Sequence, residues 1–185
     1  NGRNAGKVYI LFGGNFSNNG VVALSSAEVQ LHGDQPNQRA GYVFQAGDLN
    51  GDEYADLIVG SPGYREDFNN QGKLYGIVVD PMRPLPSPNI EDVATQYIIG
   101  PQANSRWGRR AAIVGDLDRS SFPNILLGEP STDSPENNIG QAKLLSLSQF
   151  ECFDRVEVCD DPLDNDGNEL VGCADPACAS LDICS

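Results

Sequence analysis

Histidine, methionine and tryptophan each occur once in this 185-residue chain, and no cysteine precedes residue 152. With His32 alone, no G-x-S-x-G elbow and no paired acids outside the loops described below, acid–base and nucleophilic catalysis have no visible machinery, and the expectation is that the chain is not an enzyme. Basic residues are scarce too: 12 Lys and Arg face 26 Asp and Glu, a net charge of −14. That balance argues against nucleic acid or an anionic membrane surface as partner, and for metal cations or solubility. No hydrophobic run is long enough to insert into a membrane, and there is no signal-peptide h-region. The chain starts at Asn1 rather than Met, so the expectation is a removed leader or an excised piece. No segment sustains apolar spacing at three and four over ten residues, which leaves little room for helices.

What is present is unevenly distributed. Residues 151–185 hold ten acids, one base (Arg155) and all five cysteines, Cys152, Cys159, Cys173, Cys178 and Cys184. A boundary near Phe150 follows, dividing the chain into 1–150 and 151–185. Clustered cysteines in a short acidic segment read as a disulfide framework and hence an oxidising, extracellular setting, secreted or at the cell surface. Zinc is the rival use. It is disfavoured because no C-x-x-C spacing occurs and the surrounding carboxylates raise thiol pKa values. Five is odd, leaving one thiol free or paired with another chain.

The most informative stretch is Asp48-Leu49-Asn50-Gly51-Asp52-Glu53-Tyr54-Ala55-Asp56. It places side-chain oxygens at loop positions one, three, five and nine, with the Tyr54 carbonyl at seven and a glycine for the sharp turn. Calcium takes about six to eight oxygen ligands, and this spacing supplies most of them. An EF-hand closes at position twelve between helices. This loop closes at nine and runs into Leu57-Ile58-Val59-Gly60-Ser61-Pro62, a β-branched run that places it in a hairpin. The alternative is an Asx-rich turn without an ion, since Asp, Asn and Gly favour turns on their own account.

The stretch also repeats. Gly47-Asp48 recurs as Gly115-Asp116, Gly60 and Pro62 as Gly128 and Pro130, and Gly72 as Gly140, every offset being 68. An earlier partial copy, Gly6-Lys7-Val8-Tyr9, matches Gly72-Lys73-Leu74-Tyr75 at an offset of 66. Such a period, filled with short strands and Gly/Pro turns, points to a propeller or solenoid. Strands are expected at 42–46, 56–60, 73–79 and 93–99, making one four-stranded unit. Two more (7–12 and 28–31) precede it and three (110–114, 124–127 and 141–147) follow.

The run Gly47 to Pro62, followed by Gly72-Lys73-Leu74-Tyr75, resembles an FG-GAP repeat, the blade unit of integrin alpha-subunit propellers and many bacterial extracellular proteins. The resemblance covers roughly residues 6–148. It implies an all-β fold of about two and a quarter blades of four-stranded antiparallel sheet, with Asp48, Asn50, Asp52, Tyr54 (carbonyl) and Asp56 as calcium ligands. The aromatic–glycine pair that names the family is read as Trp107-Gly108 in the later repeat and as Arg39-Ala40 in the earlier one. In the second loop, Asp116 to Asn124, Ser120 and Asn124 replace carboxylates and Arg119 intrudes, so a hairpin held by its own side chains is expected there.

The tail is similar to Asp- and Cys-rich repeats of bacterial secreted proteins with D-N-D-G cores. Asp164, Asp166 and Asn168 repeat the one-three-five spacing, with Leu170 offering a carbonyl, as a second calcium site or a solvated acidic loop. A sequon, Asn15-Phe16-Ser17, is a possible glycosylation site. Asp80 to Pro88 reads as a stiff connector. Arg106-Trp107-Gly108-Arg109-Arg110 would suit an anionic sugar or the acidic tail, although arginines on a strand are ordinarily just solvated.

The functional expectation is a secreted, calcium-binding structural or adhesive protein that offers protein or glycan ligands a surface. Two and a quarter blades cannot close a propeller, so open edges would drive head-to-tail self-association into a homo-oligomeric ring or filament. The alternative is a fragment of a longer integrin-like propeller receptor or adhesin.

Overall fold

The computed structural model describes residues 2–11, 23–79, 85, 88–119, 122–129, 140–147 and 151–152. Asn15, Asp164, Asp166, Asn168, four of the five cysteines and most of the 80–88 connector lie outside the described residues. The chain divides into two compact units, residues 1–150 and 151–185. Of the second, only a short strand, Glu151–Cys152, is described.

The first unit is built of antiparallel sheets joined by tight turns. β1 (Lys7–Ile10) pairs with β2 (Val29–His32); β3 (Val43–Gly47), β4 (Asp56–Ser61), β5 (Lys73–Ile77) and β6 (Gln96–Ile99) follow in order; β7 (Arg110–Ile113), β8 (Ile125–Glu129) and β9 (Gln141–Leu145) form a third set. The strands fall in short apolar runs bounded by turn residues, β-branched in β4 and mainly Ala and Leu in β7 and β9. One boundary differs from expectation by more than two residues. Residues 90–93 form a single helical turn, α1 (Ile90–Val93), and the strand begins only at Gln96. Asn89 caps that turn by accepting from the Glu91 amide, and Ile90 and Val93 are buried, so a local cap and two apolar contacts override the β-branched residues.

The core lies between the second and third sheets. Ile58 and Leu74 face Ile125, Leu127 and Leu145, with Leu49, Trp107 and Leu147 completing the cluster. At about 1.5–3 kcal/mol for each fully buried aliphatic side chain, this cluster outweighs any single hydrogen bond in the unit. Its backbones come very close. A Cβ on Gly60 would lie 2.1 Å from the Gly108 carbonyl oxygen and 2.5 Å from Val43 Cγ1, so no side chain fits there.

Two junctions of the same design tie successive sheets together. In the first, the Asn37, Arg39 and Ala40 amides donate to the carbonyls of Arg3, Asn4 and Ala5; in the second, the Asn104, Arg106 and Trp107 amides donate to those of Asn69, Asn70 and Gln71, all at 2.8–3.1 Å. Asn4 Nδ2 donates to Asn37 Oδ1 at 3.0 Å, and Asn70 Nδ2 to Asn104 Oδ1 at 3.2 Å. All of Asn4, Asn37, Arg39, Asn70, Asn104 and Arg106 have φ between 52° and 63°. Asparagine tolerates this left-handed region, whereas arginine adopts it at a cost. The equivalence corrects the sequence alignment. Ala40 bridges Gly6 as Trp107 bridges Gly72, so the counterpart of Trp107-Gly108 is Ala40-Gly41, at an offset of 67, and not Arg39-Ala40.

A buried charge anchors α1 to β5. Lys73, 3% exposed, pairs with Glu91 at 2.9 Å and sits 4.1, 4.6 and 5.0 Å from the ring centroids of Tyr97, Tyr64 and Tyr75. Gln38 Nε2 donates to the Tyr75 hydroxyl at 2.9 Å, and that hydroxyl donates to Glu91. Burial first, then the Glu91 charge, pushes the Tyr75 pKa well above the ordinary phenolic value. Tyr75 therefore keeps its proton, and its hydrogen bond to Glu91, across the physiological range.

The glycine approach is directly testable. Gly60→Ala is expected to destabilise the first unit by about 1–3 kcal/mol in chemical denaturation, as overpacking does. Gly76→Ala, whose Cβ would meet nothing nearer than 3.6 Å, is expected to change stability by less than about 0.5 kcal/mol.

Candidate functional site

The loop between β3 and β4 is folded by its own side chains. Asp48 Oδ1 accepts from the Gly51 amide at 2.6 Å and Oδ2 from the Glu53 amide at 3.0 Å. Asn50 Oδ1 accepts from the Asp52 amide at 3.1 Å, and Asp52 Oδ1 from the Tyr54 amide at 2.8 Å. These Asx turns carry the chain through Gly51 and Glu53, at φ 86° and 70°, in a sharp reversal. Asn50 Nδ2 also donates to Asp52 Oδ2 at 3.0 Å.

Asp56 behaves differently. It is fully buried, and its oxygens accept from the Leu49 amide at 2.8 Å and the Val79 amide at 2.9 Å, so it clasps the two ends of the hairpin and the end of β5. Burial raises its pKa, against the pull of those two amides, and the Asp52 and Asp48 charges add to the rise. At Asp48, desolvation acts upward and the backbone hydrogen bonds, Gly51 and Glu53 foremost, outweigh it, leaving its pKa below the usual carboxylate value.

The loop between β7 and β8 repeats the clasp without the charge. Asn124 is buried, and its Oδ1 accepts from the Leu117 amide at 2.6 Å and the Asp118 amide at 3.2 Å. Its Nδ2 donates to Asp118 Oδ2 at 2.9 Å. Asn124 and Asp56 thus close equivalent hairpins 68 residues apart.

Whether the Asp48 loop suits a divalent cation depends on donors and on geometry. The donors suit it: oxygens of Asp48, Asn50, Asp52 and Asp56 with the Tyr54 carbonyl form an oxygen-only set of the kind calcium takes. Asp48 and Asp52 are near enough to raise the Asp56 pKa, and a cation would relieve that mutual repulsion. Among the described residues, however, no three His, Cys, Asp or Glu side chains converge on one point. The loop oxygens are instead turned onto the loop's own amides, and each retains a lone pair.

Residues 40–77 match the FG-GAP repeat family. That segment runs from Ala40, in the first junction, through the Asp48 loop to the end of β5, so the FG-GAP match takes in the loop whole. The chain is similar to integrin alpha-7 of Mus musculus, 36% identical over 103 residues, covering 56% of this chain and 8% of that protein. It is also similar to the phosphatidylinositol-glycan-specific phospholipase D of Rattus norvegicus, 30% identical over 127 residues, 68% of this chain and 15% of that protein. Integrin alpha-IIb of Mus musculus is 30% identical over 106 residues, 55% of this chain and 10% of that protein. The chain therefore spans about a tenth of these relatives, the stretch that resembles FG-GAP repeats. No helix among the described residues is long and apolar enough to cross a membrane.

The clasp makes a prediction independent of any ion. In the presence of chelator, Asp56→Ala is expected to cost about 1–3 kcal/mol for each of the two buried amides left without an acceptor, whereas Asp56→Asn, whose single oxygen can serve only one of them, is expected to cost about half as much. Urea denaturation of the three proteins measures this.

Proposed function

We propose that this chain is an extracellular repeat segment of an integrin-like β-propeller, a structural or adhesive module whose Asp48 loop takes calcium and whose open faces take further repeats. The observation that carries the reading is a contrast between equivalent positions. Ile58 and Leu74 on the second sheet are fully buried under the third, while their counterparts 68 residues on, Leu126 and Ala142, are exposed. Leu144, opposite Leu126 in the register, is 47% exposed. An apolar sheet face that is core in one repeat and bare in the next is the place for another repeat. That repeat comes from the same polypeptide in an integrin-like propeller, or from a second copy in a head-to-tail ring or filament.

Calcium binding rests on the oxygen-only donor set and on the FG-GAP match over the loop. An extracellular setting rests on the clustered cysteines, for which at least two disulfides within residues 152–184 are proposed. The similarity to a phospholipase D covers 15% of that protein; a non-catalytic role is the proposal, resting on the lone histidine and the want of a nucleophile elbow in the sequence.

Calorimetry is expected to show calcium binding in the range of about 0.1–1 mM, lost in Asp52→Ala. At about 1 mM free calcium and a dissociation constant near 0.1 mM, the ion adds about 1.4 kcal/mol to stability. Equal uptake by the variant would overturn the loop assignment. Light scattering of the oxidised chain in calcium is expected to show assemblies that Leu126→Lys disperses, and a stable monomer at micromolar concentration would overturn self-association in favour of the longer propeller.

A further inference from the structure

The two junctions converge on a cleft that the calcium loop does not use. Its cavity, about 180 Å³, is lined by Arg39, Tyr42, Pro62, Asn70, Arg106 and Arg109. Each junction ends in a four-residue turn, closed by the Tyr42 amide donating to the Arg39 carbonyl and by the Arg109 amide donating to the Arg106 carbonyl. Equivalent turns of neighbouring repeats therefore place Arg39 and Tyr42 on one wall and Arg106 and Arg109 on the other. Three of the twelve basic residues of a chain with net charge −14 meet in one small cavity. Among the described residues no carboxylate lines it, and no salt bridge engages Arg39, Arg106 or Arg109. Like charges so gathered repel one another, and two of these arginines also hold left-handed backbone, where asparagine or glycine would be cheaper. The junction hydrogen bonds of Arg39 and Arg106 offset the backbone cost, whereas the repulsion among the three guanidinium groups is relieved by an anion in the cleft.

We infer that this cleft binds an acidic sugar unit, a sulfated or carboxylated ring at the end of or within a glycan. Guanidinium groups match carboxylate and sulfate oxygens in paired hydrogen bonds. Three cations around one cavity exceed what a single aspartate or glutamate side chain needs, and they suit a ring bearing more than one anionic group. The lining is mainly polar, with Pro62 buried and Tyr42, 45% exposed, at its edge, as suits a hydrophilic sugar, and the cavity is smaller than the roughly 300–1,000 Å³ of sites for larger ligands. The inference gives the adhesive reading a ligand class. It stands on the cleft alone and holds whether or not the Asp48 loop takes calcium.

The test is titration of the full chain, with and without calcium, with a heparin-derived tetrasaccharide, a neutral cellotetraose and a tetra-aspartate peptide. Saturable binding of the sulfated probe is expected in both conditions, weakened at least tenfold by Arg109→Gln and by Arg106→Asn, and changed less than twofold by Arg65→Gln, an exposed arginine outside the cleft. Arg109 has an ordinary φ, so Arg109→Gln tests the charge without disturbing the turn, and thermal melting confirms that each variant is folded. No saturable binding by the parent, equal affinity in the folded cleft variants, or equally tight binding of cellotetraose or tetra-aspartate would overturn the inference. Binding that is lost with calcium removal alone would instead tie the site to the loop and overturn its independence.

Discussion

Successive sheets of the first unit are held in register by main-chain hydrogen bonds that form only when particular residues turn left-handed. Asn4, Asn37 and Arg39 do so at one junction and Asn70, Asn104 and Arg106 at the next. Once those turns are set, the rest follows. Gly6 meets Ala40 and Gly72 meets Trp107, the sheets approach until only glycine fits at residue 60, and the aliphatic cluster around Ile58 and Leu127 closes between them. Hydrophobic burial supplies most of the stabilisation, but it is indifferent to register. The junction hydrogen bonds decide which of many apolar stackings is adopted.

The same junctions explain why chemistry gathers where it does. A turn at the end of each junction presents its first and fourth residues to the space between repeats. In the earlier turn those are Arg39 and Tyr42, in the later one Arg106 and Arg109. The metal-type loops follow a different logic, closing hairpins within a sheet, and their carboxylates serve the loop's own amides first. Two kinds of surface are thus repeated along the chain by separate rules, and each can vary without the other.

Much of this was legible in the sequence. Short apolar runs between Gly, Pro and Asn clusters located the strands of the first unit to within a few residues, because period-two alternation and turn chemistry agree there. The strand expected from residue 93 begins only at Gln96, because the cap at Asn89 sets a helical turn that strand propensity does not weigh. The assignment of Arg39-Ala40 as the aromatic–glycine counterpart failed because a constant offset of 68 was carried past a place where the repeat is one residue shorter. The paired asparagines of the junctions carry no apolar pattern, so nothing in hydropathy marks them. The cleft was half visible: Arg106 and Arg109 stand together in the sequence, but Arg39 joins them only through a contact 67 residues away. Likewise the buried Lys73 reads as an ordinary strand residue until Glu91 and three tyrosines are seen around it.

Asp56 and Asn124 solve the same closing problem with different groups. Both close a hairpin by offering an oxygen to an amide at the start of the loop, Leu49 in one case and Leu117 in the other. They differ in what the second atom does: Asp56 offers its other oxygen to the Val79 amide, whereas Asn124 turns its NH2 to Asp118. An exchange between the two residue types at this position therefore also requires a new partner for the second atom, which ties each repeat's closing residue to its own surroundings.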